Sequence, residues 1–504
     1  MSELRKPGSL EWLALALVLA LALGLRLYKA DAALWYDEIY TVVNSIRLPF
    51  GDLIASYESL NNHMLYSLSA KLSVAALGEN EMSVRLPAIL FGVGSIFVQW
   101  RISRRVTGPV AALIVALLLA LSYHHVWFSQ NARGYTGLLF FTSAATLAFI
   151  KGMERPGWKI WTVYGLLVAA AMYMHMSAGF FFVAHGAVYA FMLGRRLLAR
   201  AEEGQGTRWP GMGTILPIYG VALSIVVTLI VYAPIIGKAL QTVGEVAEAS
   251  NSEGGAALAE WRNPLRAVAE IGASISSMGP LVPFILVGTV LVLAVGIRSL
   301  WKRHPLLTAI YVVHVPLAMI LLYLVGVRIW PRYFFVDIGF IFMALVEGVF
   351  VWSGLIASWF ALSRRWPGAA SAIAWIGVAA MTAISVGLLV RNYAYPKQDY
   401  VGARDYVLAQ VAPDDRVAAV ALAGYSYRHY YAPRWDVVEN SDDMERLRAG
   451  TAGVMWVLMA FPHQTQAGRP DIAAELKQHF DQVATFPGTL GDGAIWVYRS
   501  REAR

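Results

Sequence analysis

The sequence predicts a mostly α-helical, polytopic membrane protein: a bundle of about eleven transmembrane helices with a long first outer loop, followed by a small C-terminal α/β domain on the outer side. Three observations carry this. The 504 residues are 58% hydrophobic and 15% charged, where a soluble domain carries about 25% charged residues. Apolar runs recur near 10–28, 84–100, 109–127, 135–150, 160–176, 178–194, 213–237, 281–300, 305–325, 334–356 and 369–391; crossing a hydrocarbon core of about 30 Å takes about 20 such residues. Lys and Arg crowd every second connection between them.

The first run follows Arg5 and Lys6, and Ala30-Asp31-Ala32 imitates a cleavage site. The apolar stretch is too long for a signal core and many spans follow it, so it reads as a retained helix. The runs at 160–176 and 178–194 are separated only by His175-Met176-Ser177-Ala178-Gly179, which makes them a tight helical hairpin. With the N-terminus inside, the inner connections hold Arg101, Arg104 and Arg105, then Lys151, Arg155 and Lys159, then Arg195, Arg196, Arg200 and Arg208. Arg298, Lys302, Arg303, Arg364 and Arg365 continue the pattern. The short outer turns carry only Arg133, Arg328 and Arg332, and an odd number of spans leaves the C-terminal segment outside.

Three parts lie outside the bilayer. The first outer loop, 29–83, contains amphipathic stretches at 39–46 and 64–77 suited to the interface. A second, 238–280, contains Ser250-Asn251-Ser252-Glu253-Gly254-Gly255, a lid-like stretch. The tail alternates helix (400–410), strand (417–422), helix (442–448), strand (453–459), helix (472–480) and strand (494–498), the rhythm of an α/β domain. The chain therefore divides into a membrane domain, 1–396, and a soluble domain, 397–504.

The net charge of +8 sits at span ends, so it serves anchoring and topology rather than nucleic-acid binding. The absence of cysteine excludes disulfides, thiol catalysis and thiolate metal sites.

Chemistry is concentrated at the outer ends of spans. Asp37 and Glu38, in Trp35-Tyr36-Asp37-Glu38, are adjacent carboxylates just past the first span. They suit either a catalytic pair or the start of an interfacial helix, where acids are favoured. His63, in Asn61-Asn62-His63-Met64-Leu65-Tyr66, could bind phosphate, ligate a metal or move a proton; otherwise Asn62 caps a helix there. Arg133 and Arg332 occupy outer turns, against the positive-inside bias; snorkelling is the alternative to function. His124, His125 and His175 read as interfacial polar residues. Asp337 either hydrates near the outer surface or pairs with Arg332, and Glu347 lies deeper with no partner apparent. Carboxylate and cations at one interface suit group transfer from a lipid-linked anionic donor, with the carboxylate as base and bidentate Arg on the departing phosphate.

At these residues the chain resembles the GT-C glycosyltransferases of family 39, which include protein O-mannosyltransferases and the bacterial enzymes that add aminoarabinose to lipid A. Asp37-Glu38 matches the family's Asp-Glu pair after the first span. His63-Met64-Leu65-Tyr66 matches a His-Pro-Pro-Leu-Tyr type segment, with Met64 where proline is common. Arg133-Gly134-Tyr135 and Arg332-Tyr333 match its third-span and late-span elements. The resemblance runs over the whole chain. It implies an inverting glycosyltransferase of the bacterial inner membrane, acting on its periplasmic face. The sugar would move from a polyprenyl-phosphate donor to a hydroxyl of an envelope glycan, glycolipid or protein. Asp37 would be the base and Glu38 a catalytic partner that orients substrate. Arg332, Arg133, His63 and Tyr333 would hold the donor phosphate, and Tyr36, Asn62, Tyr66 and Tyr135 would contact substrate. No cofactor is obligatory, and there is room for a divalent metal. The alternative is a transporter or lipid flippase, which would show paired halves and mid-bilayer polar residues; only Glu347 points that way, and no repeat is visible.

Overall fold

The computed structural model describes residues 6–57, 62–202, 212–238, 240–242, 244, 282–325 and 330–501. The lid-like stretch 250–255 and Arg328 lie outside them. Helices occupy all eleven predicted runs: α1 (Ser9–Leu27), α5 (Glu81–Thr107), α6 (Pro109–Leu121), α8 (Tyr135–Glu154), α9 (Trp158–Met174), α10 (Ala178–Glu202), α11 (Met212–Tyr232), α12 (Val282–Arg303), α13 (Pro305–Val325), α14 (Ile338–Trp359) and, after the one-turn α15 (Leu362–Arg365), α16 (Ala369–Ala394). Among the described residues nine are long and apolar enough to cross a membrane, and a tenth arises if α6 and the short α7 (Tyr123–Ser129) count as one span bent by 59°. Ser122 makes the bend: it ends α6, and its hydroxyl accepts from His125 N at 3.4 Å to cap α7. The remaining helix, α9, has 17 residues, about 26 Å at 1.5 Å per residue, which is short for a full crossing.

Helix α5 is the central strut. Asn80 caps it by accepting from Ser83 N at 2.8 Å, and Arg85, Ser95, Gln99 and Ser103 are all buried along it. Helix α6 is apolar all round and correspondingly enclosed. At the end of the bundle that carries the N-terminus, Arg104 pairs with Glu11 at 2.5 Å and Arg105 with Glu154. Glu347, which lacked a partner in sequence, takes Arg303 at 2.8 Å and the Ser299 hydroxyl at 2.7 Å. Asp337 pairs with His314 at 2.9 Å rather than with Arg332.

The opposite, loop face is layered. Short helices α2 (Tyr36–Thr41), α3 (Phe50–Ala55) and α4 (Met64–Leu77) connect α1 to α5. Above them sits a five-stranded sheet of order β2-β1-β3-β5-β4, formed by β1 (Arg416–Val420), β2 (Asp436–Val438), β3 (Met455–Ala460), β4 (Phe480–Phe486) and β5 (Ile495–Ser500). Strands β2, β1 and β3 are parallel, and β5 and β4 return antiparallel. Every residue of β3 is buried, as befits a central strand covered on both faces. The domain is locked onto the loop layer: Asn44 Nδ2 donates to Tyr425 Oη at 2.7 Å, and Tyr431 Oη to Leu34 O at 3.0 Å.

Candidate active site

The catalytic candidates converge at the loop face. Helix α2 begins at Tyr36, so Asp37 and Thr41 lie one turn apart on one side of it. Arg133 is nearly sealed from solvent; its Nη2 lies 3.8 Å from Asp37 Oδ2, and its Nη1 donates to Thr41 Oγ1 at 3.4 Å. The Thr41 hydroxyl in turn donates to Asp37 O at 2.8 Å, fixing that turn of helix.

His63, rather than Asn62, is the residue directly before α4; it makes no side-chain cap and is buried among rings. Its centroid lies 4.6 Å from that of His175 and 5.1 Å from that of Tyr135. Gly134 makes this approach feasible, since a Cβ there would fall 2.8 Å from His63 Nδ1 and 2.9 Å from Met174 O. Tyr333 lies 6.2 Å from His175. Arg332, over the Trp330 ring at 4.7 Å, is close enough that its charge bears on His63, His175 and Asp37. Thus Asp37, His63, Arg133, Tyr135, Arg332 and Tyr333 form one cluster from four separate chain segments.

The two histidines carry their protons differently. His63 Nδ1–H donates to Met174 O at 3.3 Å, which leaves Nε2 as a bare acceptor. His175 Nδ1 accepts from Ser177 N at 3.0 Å, which puts the proton on Nε2 as a donor. Among the described residues neither Nε2 has a hydrogen-bond partner. Burial, then Arg133 and a second cationic neighbour, keep both rings neutral: His63 falls well below the ordinary histidine range and His175 to about 3. His175 escaped the sequence reading, which took it for an interfacial residue, because only the fold brings the α9–α10 turn to the site.

Glu38 occupies a different environment. It is fully buried, with Arg85 Nε on Oε1 at 2.7 Å and Arg85 Nη2 on Oε2 at 2.6 Å. Ala132 N and Trp35 N complete its shell at 2.7 and 3.2 Å. Burial alone would raise its pKa, but the Arg85 and Lys397 charges and these hydrogen bonds hold it below the usual carboxylate range. Glu38 therefore braces the segment carrying Asp37 to the turn carrying Arg133. Trp35 Nε1 adds a bond to Asn131 Oδ1 at 3.1 Å.

The linker after α16 joins this brace, another feature unmarked in sequence. Gln398, fully buried, accepts from Tyr36 N at 3.0 Å, at the first residue of α2. Lys397 donates to Gln130 O in the turn that carries Arg133. Burial lowers its pKa to about 7, with Glu38 opposing that shift. The other candidates make separate contacts. Tyr66 is buried and donates to Val84 O at 2.6 Å; Asn62 donates to Ser56 O at 3.1 Å; Tyr36 turns its ring toward the C-terminal domain. His125, also read as interfacial, is buried against Arg26, whose Nη2 lies 2.8 Å from its Nδ1.

Comparison with known proteins accords with this layout. Residues 64–233 match the family model described as dolichyl-phosphate-mannose-protein mannosyltransferase. ArnT from Cupriavidus metallidurans in the apo state superposes over 97% of both chains with a TM-score of 0.53 at 13% identity. The same protein bound to undecaprenyl phosphate covers 98% of this chain and 99% of its own, again at 0.53 and 13%. This is a GT-C fold. AglB from Archaeoglobus fulgidus, in complex with an inhibitory peptide and a dolichol-phosphate, covers 98% of this chain and 74% of its own at a TM-score of 0.54 and 12% identity. No curated protein matches the chain by sequence. Within this GT-C fold the described residues bring no three His, Cys, Asp or Glu side chains together as a metal site, and Arg85 already saturates the acidic Glu38. Among the described residues, then, no set of side chains fits a divalent cation.

Proposed function

We propose that the chain is an inverting glycosyltransferase of the bacterial inner membrane. It moves a sugar from a polyprenyl-phosphate donor to an acceptor hydroxyl at the loop face, which is periplasmic. The observation that carries this reading is the meeting of one accessible carboxylate, Asp37, with Arg133, Arg332 and the His175 Nε2 donor. Asp37 takes the proton of the acceptor hydroxyl as its oxygen attacks the anomeric carbon. The bond from that carbon to the phosphate oxygen breaks on the opposite side, inverting the centre. The polyprenyl phosphate departs with the bonding electrons and an additional negative charge, which Arg133, Arg332 and His175 stabilise. A phosphate leaves without an acid, so one carboxylate suffices. Tyr135 and Tyr333 wall the phosphate site, and Glu38 acts through the brace rather than on substrate. The family match over residues 64–233 favours glycosyl transfer over transport. Asp37→Asn is expected to abolish transfer while leaving undecaprenyl-phosphate binding intact. Normal turnover by that variant in reconstituted membranes refutes the base assignment.

A further inference from the structure

Ser122 caps the start of α7, and a second side chain holds the rest of the bend. Arg26, in the last turn of α1, is fully buried, and all five of its N–H groups find acceptors. Nη1 donates to Ala22 O at 2.8 Å and to Ala120 O at 3.2 Å. Nη2 donates to Leu119 O at 3.3 Å and to His125 Nδ1 at 2.8 Å, and Nε to Ser129 Oγ at 3.1 Å. These partners are carbonyls, a ring nitrogen and a hydroxyl. The charge sits at the C-terminal end of α6, where Leu119 and Ala120 lie among the carbonyls that a helix leaves unpaired and where its dipole is negative.

The protons around Arg26 have one consistent arrangement. Since His125 Nδ1 accepts from Arg26, the ring carries its proton on Nε2 and donates to Ser95 Oγ at 2.9 Å; Ser95 donates in turn to Gly92 O at 2.7 Å. Ser129 donates to His125 O at 2.6 Å, which leaves its oxygen to accept from Arg26. Helix α7 therefore meets α1 and α5 through a fully paired polar network, the kind that fixes one geometry. The fit is close: a Cβ at Gly92 would lie 2.3 Å from Ser129 Oγ.

This network ends on the candidate site. Helix α7 runs directly into the turn that carries Arg133. The carbonyls of Arg26 and Tyr28 accept from Gln130 Nε2 at 3.1 and 2.6 Å. Arg26 thus holds the last residue of α7 with its side chain and the following residue with its backbone.

We propose that Arg26 is a positioning residue for the donor-phosphate site: by holding α7 at the bend it sets where Arg133 stands. Lysine in its place would keep the charge but not the planar fork that reaches α6, His125 and Ser129 together.

The inference rests on the reading of Arg133 as a phosphate ligand, and its test separates the two. The chain has no cysteine, so Leu10→Cys, exposed on α1, and His124→Cys, exposed on α7, take spin labels at two defined places. The distance between them is measured by pulsed electron resonance on the full-length protein in nanodiscs. Undecaprenyl-phosphate binding is measured in parallel, at a temperature where each variant is folded. Arg26→Lys and Gly92→Ala should shift or broaden the distance and weaken undecaprenyl-phosphate binding about tenfold, the lower end of the worth of one hydrogen bond to a charged group. Arg104→Met, which breaks the pair with Glu11 at the other end of the bundle, should lower the melting temperature and move neither readout. An unchanged distance in both Arg26→Lys and Gly92→Ala overturns the proposal. A shifted distance with undecaprenyl-phosphate binding unchanged leaves Arg26 holding α7 and removes Arg133 from the phosphate site.

Discussion

Glu38→Gln separates bracing from chemistry. Among the described residues Glu38 accepts four hydrogen bonds, and its ionic contact is the two-point pair with Arg85. A glutamine keeps one acceptor oxygen and turns an amide NH2 against the guanidinium. Breaking a buried pair from one side costs about 3–5 kcal/mol, because the remaining charge is left uncompensated. Arg85 also donates to the carbonyls of Ala30, Ala32 and Ala33 at 2.6–3.1 Å, so the lower end, about 3 kcal/mol, is expected. The assay is thermal unfolding in detergent beside a transfer assay at a temperature where the variant is folded. Transfer should fall in step with stability. Replacing both residues, as Glu38→Leu with Arg85→Met, removes both charges together and should cost less than the sum of the single changes. A Glu38→Gln protein that unfolds like wild type yet has lost transfer would refute the bracing role and return Glu38 to the chemistry.

Other variants address the rest of the site. His175→Ala should weaken undecaprenyl-phosphate binding about tenfold, the worth of one hydrogen bond to a charged group, and His175→Gln, which keeps a donor, should lose less. With the His175 pKa at about 3, donor binding should show no histidine limb between pH 5 and 8; a limb that disappears in His175→Gln contradicts the neutral assignment. Gln398→Ala leaves Tyr36 N–H without its partner, so kcat should fall with donor affinity unchanged, and a wild-type kcat argues against this strut. Burial gives Lys397 a folded pKa of about 7 against an ordinary value of 10.5. Between those values the unfolded chain holds more protons, so stability rises with pH. The melting temperature should therefore climb from pH 7 to pH 9 in wild type, and more steeply than in Lys397→Met.

The membrane architecture was legible because hydropathy and basic residues report directly on the solvent each segment meets. All eleven apolar runs became helices, and α9 shows the limit of the reading: apolarity marks a buried helix but not its reach. The candidate cluster was legible where polar residues stood against expectation, as with Arg133 and Arg332 at span ends. It was illegible where geometry alone assigns the task. His175 resembles any polar turn residue, and its donor role depends on Ser177 N occupying Nδ1. Lys397 and Gln398 lie far from α2 in sequence and meet it through tertiary folding. Strand β2 is three residues long and too short to declare a period, and β4 beyond Phe480 is exposed or half-buried without clean alternation, so neither announces itself in sequence.

The placement of charge explains why two histidines are kept neutral beside two arginines. Before transfer, on the proposed mechanism, the two guanidinium groups face one Asp37 carboxylate and one singly charged phosphodiester, and the site is balanced. During transfer Asp37 gains the acceptor's proton and becomes neutral, while the phosphate becomes a monoester with one further negative charge. The sum is unchanged, but negative charge has moved from the Asp37 side of Arg133 toward the phosphate. Arg133, in contact range of Asp37 at 3.8 Å, can follow that shift without crossing the site. Protonating His63 and His175 would add two positive charges that no group on the reactant side offsets, favouring the departed phosphate and slowing its release. Burial of both rings next to Arg133 prevents this. Their neutrality thus lets the cluster bind the donor and still give up the product.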